Sequence, residues 1–258
     1  MDLEVRGKTA LITGSDRGTG RAIAQRFTEA GVRVVLHGNE RLPEPLPGAC
    51  DCVQGDLCSD DGAAAVVEQV RERVGDVDIL VNNLGAAVRG DWTHFDLESW
   101  LASYARNTLS AVRMAHAWTP GMRQAGWGRV VQLATVGAYR PGDRMPQYYA
   151  AKAALASTSL SLAQALAGTG VTVNTVSPGL IRTLEVEASF RAKARRQGWG
   201  DDWDHIEALA LADTHPNLIG RMARPEEVAD LVLFLASNRA ACITAQNIRI
   251  DGGALVHY

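Results

Sequence analysis

Short runs of consecutive apolar residues alternate with longer stretches of helical period along most of this chain. Residues 8–13 form the first run and end in a glycine cluster. From 21 to 30 the spacing of Ile23, Ala24 and Phe27 gives an apolar helix face that stops at Gly31. The chain therefore opens as strand, tight turn and helix. Residues 32–36 are a second β-branched run, 52–54 a weaker third, and 79–81 a fourth after a helical stretch at 63–74. Two more runs, 130–133 and 171–176, are separated by long helical patterns at 97–122 and 150–167. Strands that do not alternate, each followed by a helix, are what a parallel sheet covered on both faces requires. The expectation is an α/β fold built as a doubly wound parallel sheet.

Two segments break the alternation. Residues 41–48 carry Pro43, Pro45 and Pro47 and cannot be helical, so an extended surface loop is expected there. Residues 183–220 are long and polar in patches, with Trp199 and Trp203 among charges; this predicts a partly helical substrate lid, with the tryptophans as packing anchors. Within it, Arg191, Lys193, Arg195 and Arg196 precede Asp201, Asp202 and Asp204. That pattern reads either as a self-compensating solvated face or as an anion-attracting rim.

Composition narrows the partners. The length of 258 residues suits one large α/β domain over 1–258, and 26 basic against 29 acidic side chains, with no basic block, argue against nucleic acid or an anionic membrane. A small molecule is the better partner. No apolar stretch reaches the ~20 residues that span a bilayer, and the acidic start lacks the apolar core of a secretory signal, so a cytoplasmic location is expected. Cys50, Cys52, Cys58 and Cys242 suit buried thiols better than a disulfide framework, and their spacing fits no zinc pattern. No metal site is expected. His94, His116, His205 and His215 show no ligand or triad spacing.

Candidate chemistry starts at the glycine turn. Gly14, Ser15, Arg17, Gly18, Thr19 and Gly20 stand between the first strand and first helix, where backbone N–H groups at a helix N-terminus can cradle a pyrophosphate. The second strand ends at His37-Gly38-Asn39, without the acid that an NAD site offers to the adenosine ribose; Glu40 comes a little late. Arg17, with Arg41 as a second contact, points instead to a 2′-phosphate. NADP(H) is favoured and NAD(H) is the alternative. Asp56 is placed either at the adenine edge or as a helix N-terminal acid. Farther along, Tyr148 and Lys152 stand at i and i+4, on one helix face, whereas Tyr149 has only Ala153 at that offset. An ammonium about 4 Å from a phenol is worth ~4 kcal/mol at an effective dielectric of about 20, enough to bring the phenol toward neutrality.

Together with Asn82-Asn83-Leu84-Gly85 after the fourth strand and Ser177-Pro178-Gly179 after the sixth, these features make the chain resemble the short-chain dehydrogenase/reductase family over essentially its whole length. Residues 220–227 and 243–253 are similar to the 3-oxoacyl-carrier-protein reductase branch. The resemblance implies a Rossmann-type fold, with Tyr148 as general acid/base, Lys152 as ribose ligand and Asn107 on the proton relay. It implies cofactor contacts at the glycine turn and at His37, Asp56, Leu57, Asn83, Gly85, Pro178, Gly179, Ile181 and Thr183, besides Tyr148 and Lys152. It also implies a homotetramer or homodimer built on the long helices after the fourth and fifth strands. Two positions depart from the family pattern: Thr135 stands where a serine is usual, thirteen places before the tyrosine, and Leu84 where alanine is common. Threonine keeps the hydroxyl but adds a methyl and a restricted χ1. The implied activity is NADPH-dependent reduction of a ketone or 3-oxoacyl carbonyl, the substrate free or acyl-carrier linked. An NAD-dependent alcohol dehydrogenase, or a cofactor-binding regulatory protein with weakened catalysis, are the alternatives.

Overall fold

In the computed structural model the described residues are 2–214 and 216–256; His215, in the lid segment, lies outside them. Seven parallel strands form one sheet in the order β3-β2-β1-β4-β5-β6-β7. They are β1 (Thr9–Ile12), β2 (Arg33–Gly38), β3 (Asp51–Gln54), β4 (Ile79–Asn82), β5 (Gly128–Leu133), β6 (Val171–Pro178) and β7 (Asn247–Ile250). The central strands are buried throughout, which is why they read as unbroken apolar runs. The order reverses between β1 and β4, whose Leu11 and Leu80 pair in register. A crevice at the carboxyl ends of these two strands is the expected ligand position in such a sheet.

Helices cover both faces. On one, α1 (Gly18–Glu29) packs against α8 (Pro225–Leu235), and Ile23, Phe27, Val228 and Val232 meet Ile12, Leu36 and Val131. On the other, α2 (Asp60–Val74), α4 (Ser110–Ala125) and α5 (Pro146–Ala165) bring Val66, Met114, Trp118 and Ala163 onto Leu11, Val35 and Leu80. The sequence pattern that read as one helix over 97–122 is α3 (Leu97–Tyr104), a π-helical turn at Ala105–Leu109, and α4. The wide turn carries Asn107 and Thr108 inward, and both are buried.

The elements α8 and β7 were not expected as a helix and a strand. β7 is an edge strand in which Asn247 and Arg249 alternate with Ile248 and Ile250, so a search for continuous apolar runs passes over it. Residues 41–48 do form a non-helical loop, held by Arg21, which donates to the Glu44 and Pro45 carbonyls. The segment 183–220 holds α6 (Leu184–Gln197) and α7 (Trp203–Thr214), which share a small core of Phe190, Ala194, Trp203, Ile206, Leu211 and Met222. Trp203 is buried there against the guanidinium groups of Arg182 and Arg191, and Trp199 packs beside it. Arg191 pairs with Glu187 and Lys193 with Asp213, so half of the basic run is neutralised within the segment. The cysteines correct one expectation: all four are free, Cys50 and Cys242 are exposed, and the other two are half-buried, because they fall on the sheet edge and in loops. Among the described residues no helix is long and apolar enough to cross a membrane.

Candidate active site

The crevice is framed by the turns that leave β1 and β4. Gly14 adopts φ +61°, a left-handed conformation that glycine takes without penalty, and a Cβ there would lie 3.0 Å from the Leu84 Cα. Thr13 Oγ1 accepts from the Asn83 and Leu84 amides, while the Asn83 side chain donates to the Thr13 and Gly14 carbonyls. The two turns are thereby locked together. Behind them, His37 Nδ1 accepts from the Gly14 amide at 3.1 Å. An N–H can only donate, so the ring proton sits on Nε2 and is given to the Gly55 carbonyl at 3.0 Å. Burial holds the His37 pKa below its ordinary value, against the pull of Gly55, Asp16 and Asp56.

The resulting cleft has a volume of about 350 Å³ and is lined by Gly14, Asp16, Arg17, Gly18, Thr19, Gly20, residues 39–41, residues 83–86, Arg106 and Glu185. Helix α1 begins in it with no side-chain cap and no acid in its first turn. Its leading N–H groups and the positive end of its dipole are left for an anion. Thr183, the N-cap of α6, stands over Gly18. Because glycines form the floor and unpartnered N–H groups the wall, these residues fit the pyrophosphate of a dinucleotide.

At the inner end, Gly85 adjoins the second half of the site: a Cβ there would lie 2.8 Å from Asn107 Oδ1 and 2.9 Å from Lys152 Nζ. Asn107 is buried, accepts from the Ala86 amide, and donates to the Ala86 and Ser103 carbonyls. Lys152 is buried and donates to the Leu133 carbonyl at 2.7 Å. Thr135 Oγ1 accepts from the Gly137 amide, and its hydroxyl acts on the Tyr148 phenol to lower its pKa. Tyr148 is half-buried as a residue, yet desolvation, and secondarily Tyr149, push its phenol up to about 12, and Thr135 pulls the other way. Burial lowers Lys152 to about 8. The expected lowering of the phenol by the Lys152 ammonium is therefore absent from this geometry. The amine is turned to a backbone carbonyl, and burial dominates both groups.

The family model described as enoyl-(acyl carrier protein) reductase matches residues 14–255, which span both halves of this site. The chain belongs to the short-chain dehydrogenase/reductase family. Among its relatives, the uncharacterized oxidoreductase YvrD of Bacillus subtilis is 36% identical, with 99% of each chain covered. The crystal structure of L-sorbose reductase from Gluconobacter frateurii, complexed with NADPH and L-sorbose, superposes with a TM-score of 0.90 at 32% identity, covering 100% of both chains. A 3-oxoacyl (acyl-carrier-protein) reductase from Agrobacterium tumefaciens with NADP bound gives 0.84 at 32% identity, with 98% of this chain and 96% of that one covered. As a short-chain dehydrogenase/reductase, the protein is an oxidoreductase that acts on CH–OH or carbonyl groups with NAD(P).

Several residues expected to contact the cofactor do not line this cleft of the short-chain dehydrogenase/reductase. Ser15, His37 and Leu57 are fully buried and do not line the cleft. Ser15 Oγ accepts from the His37 amide, His37 braces the glycine turn from behind, and Leu57 belongs to the core. Asp56 binds the Asn39 side chain and the Cys58 amide and is not a helix cap, a role that Ser59 fills. Pro178 is buried at the end of β6, Gly179 donates to the Ile250 carbonyl, and Ile181 packs on the core. The sequence reading overlooked Asp16, Asn39, Ala86, Arg106 and Glu185, all of which line the cleft. Most follow strand ends or precede a named site residue, and that adjacency was the available signal.

Proposed function

We propose that this enzyme is an NADPH-dependent ketoreductase. The observation that carries the reading is a cleft whose lining residue Gly85 packs directly against Asn107 and Lys152, with Tyr148 one turn before that lysine on α5 and influenced by the Thr135 hydroxyl. Bound NADPH supplies the hydride. Tyr148, with a phenol near 12, holds its proton at neutral pH and gives it to the carbonyl oxygen, the role an acid plays in the reductive direction. Thr135 orients and polarises that oxygen by the same hydroxyl. Lys152 holds the nicotinamide ribose, and Asn107 fixes the Ala86 turn beside it and serves the proton relay. Gly14, Arg17, Gly18, Thr19, Gly20, Asn83 and Gly85 hold the dinucleotide, with Pro178, Gly179, Ile181 and Thr183 closing its nicotinamide end. Segment 183–220 is the lid over the substrate, a ketone or 3-oxoacyl-type carbonyl, free or carrier-linked.

The preference for NADP(H) is supported by Arg17 and Arg41 in the cleft and by the NADPH and NADP in the two neighbouring structures. NAD(H) is the second reading, because Asp16 and Glu40 also line the adenosine end. Consumption of NADPH with a panel of ketones, keto-sugars and 3-oxoacyl thioesters tests the activity. On a working substrate, Tyr148→Phe is expected to lower kcat by about 10² to 10⁴ with NADPH binding intact. Near wild-type turnover in that variant overturns the assignment. Thr135→Ser is expected to keep activity that Thr135→Val loses; equal rates would show the hydroxyl idle.

A further inference from the structure

Three arginines and three carboxylates line the cleft, and they are paired one to one. Arg17 lies 4.0 Å from Glu185, Arg41 3.5 Å from Asp16, and Arg106 3.3 Å from Glu40. The first two arginines stand in the glycine turn and just after β2, where sequence position alone puts them near a nucleotide. Arg106 comes from another wall. It stands on the π-helical turn, one residue before Asn107, whose side chain is locked to Ala86 and Ser103. Its backbone is held by those contacts, and its side chain is 35% exposed against 73% for Glu40. The same guanidinium acts on the Asp56 carboxylate and the Cys58 thiol.

Charge decides what the cleft accepts. An unphosphorylated adenosine ribose presents hydroxyls, which a free carboxylate near the end of the second strand binds well. A 2′-phosphate is repelled by that same carboxylate and needs the planar fork of an arginine. With Arg106 in place, Glu40 is neutralised, while the guanidinium, 35% exposed, still lines the cleft. Without it, Glu40 stands unpaired and the charges lining the cleft become net negative.

On the reading of the chain as a dinucleotide-dependent reductase, we propose that Arg106 is a specificity-determining residue: by holding Glu40 and offering its fork to the phosphate, it admits a 2′-phosphorylated dinucleotide. The test is direct binding to the full chain by calorimetry, with NADP⁺ and NAD⁺, and with adenosine 2′,5′-bisphosphate against 5′-AMP to isolate the adenosine end. Arg106→Ala is expected to weaken NADP⁺ and the bisphosphate by about tenfold or more, the loss of a charge-assisted contact, while NAD⁺ and AMP bind as well as before or better. Arg106→Lys, which keeps the charge but not the fork, is expected to retain only part of the NADP⁺ affinity, and Glu40→Gln added to Arg106→Ala to recover part of it. Equal weakening of phosphorylated and unphosphorylated ligands, or no change in either, overturns the proposal and leaves the reductase reading standing. A wild-type chain that binds neither dinucleotide overturns both.

Discussion

His37 shows how much of this site is built by residues that never face a ligand. Its ring ties the glycine turn, through Gly14, to the end of β3, through Gly55. Both bonds require a neutral imidazole with the proton on Nε2. Protonation would place a second N–H against the Gly14 amide, and burial opposes the charge, although Asp16 and Asp56 favour it. The folded pKa therefore lies below the ordinary 6.5. Above 6.5 neither folded nor unfolded chain carries the proton at this site, and its stabilising effect is complete. As pH falls below 6.5 the unfolded chain takes up a proton that the folded chain refuses, and stability is lost progressively until the folded value is passed. Urea unfolding at pH 7.5 and pH 5.5 is expected to show a steeper acid loss in the wild type than in His37→Gln, which keeps a donor and an acceptor but does not titrate. Parallel losses would remove His37 from this role. His37→Leu, which leaves a buried donor and acceptor unpaired, is expected to cost about 1–3 kcal/mol at neutral pH.

The elements that carry the chemistry begin where hydrophobic pattern is silent. The strands β1, β4, β5 and β6 were legible because central parallel strands are buried on both faces and read as apolar runs. Tyr148, Lys152 and Thr135 were singled out by the family resemblance, since the i, i+4 spacing of the first two alone would equally suit a structural pair. The π-helical turn was not legible, since one wider turn hardly disturbs the apolar spacing of the pattern around it, and neither was the side from which Arg106 enters the cleft. Side-chain direction was equally hidden at His37, near the end of β2, and at Ser15, in the glycine turn, both of which are buried. The start of α5 is a further case: the pattern begins near Ala150, but the helix begins at Pro146. Before it, Met145 sits at φ 67°, ψ 41°, with its amide bonded to the Gly90 carbonyl. A non-glycine residue there costs roughly 1–2 kcal/mol, and replacing it by glycine also adds about 0.5–1 kcal/mol of unfolded-chain entropy. Met145→Gly is therefore expected to raise stability by about 0.5 kcal/mol, read as a higher urea midpoint. A lower midpoint would mean that packing of the methionine side chain outweighs the strain at this junction.

At the scale of the whole molecule, one face is unfinished in the single chain. Helix α3 has no buried residue, and Leu97 and Leu101, one helical turn apart, are 82% and 71% exposed. Leu109 of the π-helical turn and Leu160 of α5, the helix that α3 packs against, are also exposed. Four large aliphatic side chains on adjoining helices are a poor solvent surface and a good self-complementary one. Net charge does little to oppose association, since the chain carries only −3. These helices follow β4 and β5, where the family resemblance set a homodimer or homotetramer interface. The argument reaches the active site as well, because Asn107 lies in the turn between α3 and α4, and Tyr148 and Lys152 lie on α5. A partner covering α3 and α5 would stiffen the elements that place all three. Sedimentation equilibrium at micromolar concentration is expected to give a mass of at least two chains of 27.7 kDa each. Leu101→Glu with Leu160→Glu is expected to reduce it to one, and to lower kcat more than it weakens NADPH binding at the distant adenosine end. A wild-type monomer would dismiss the interface, and an assembly indifferent to both glutamates would move it to another face of the molecule.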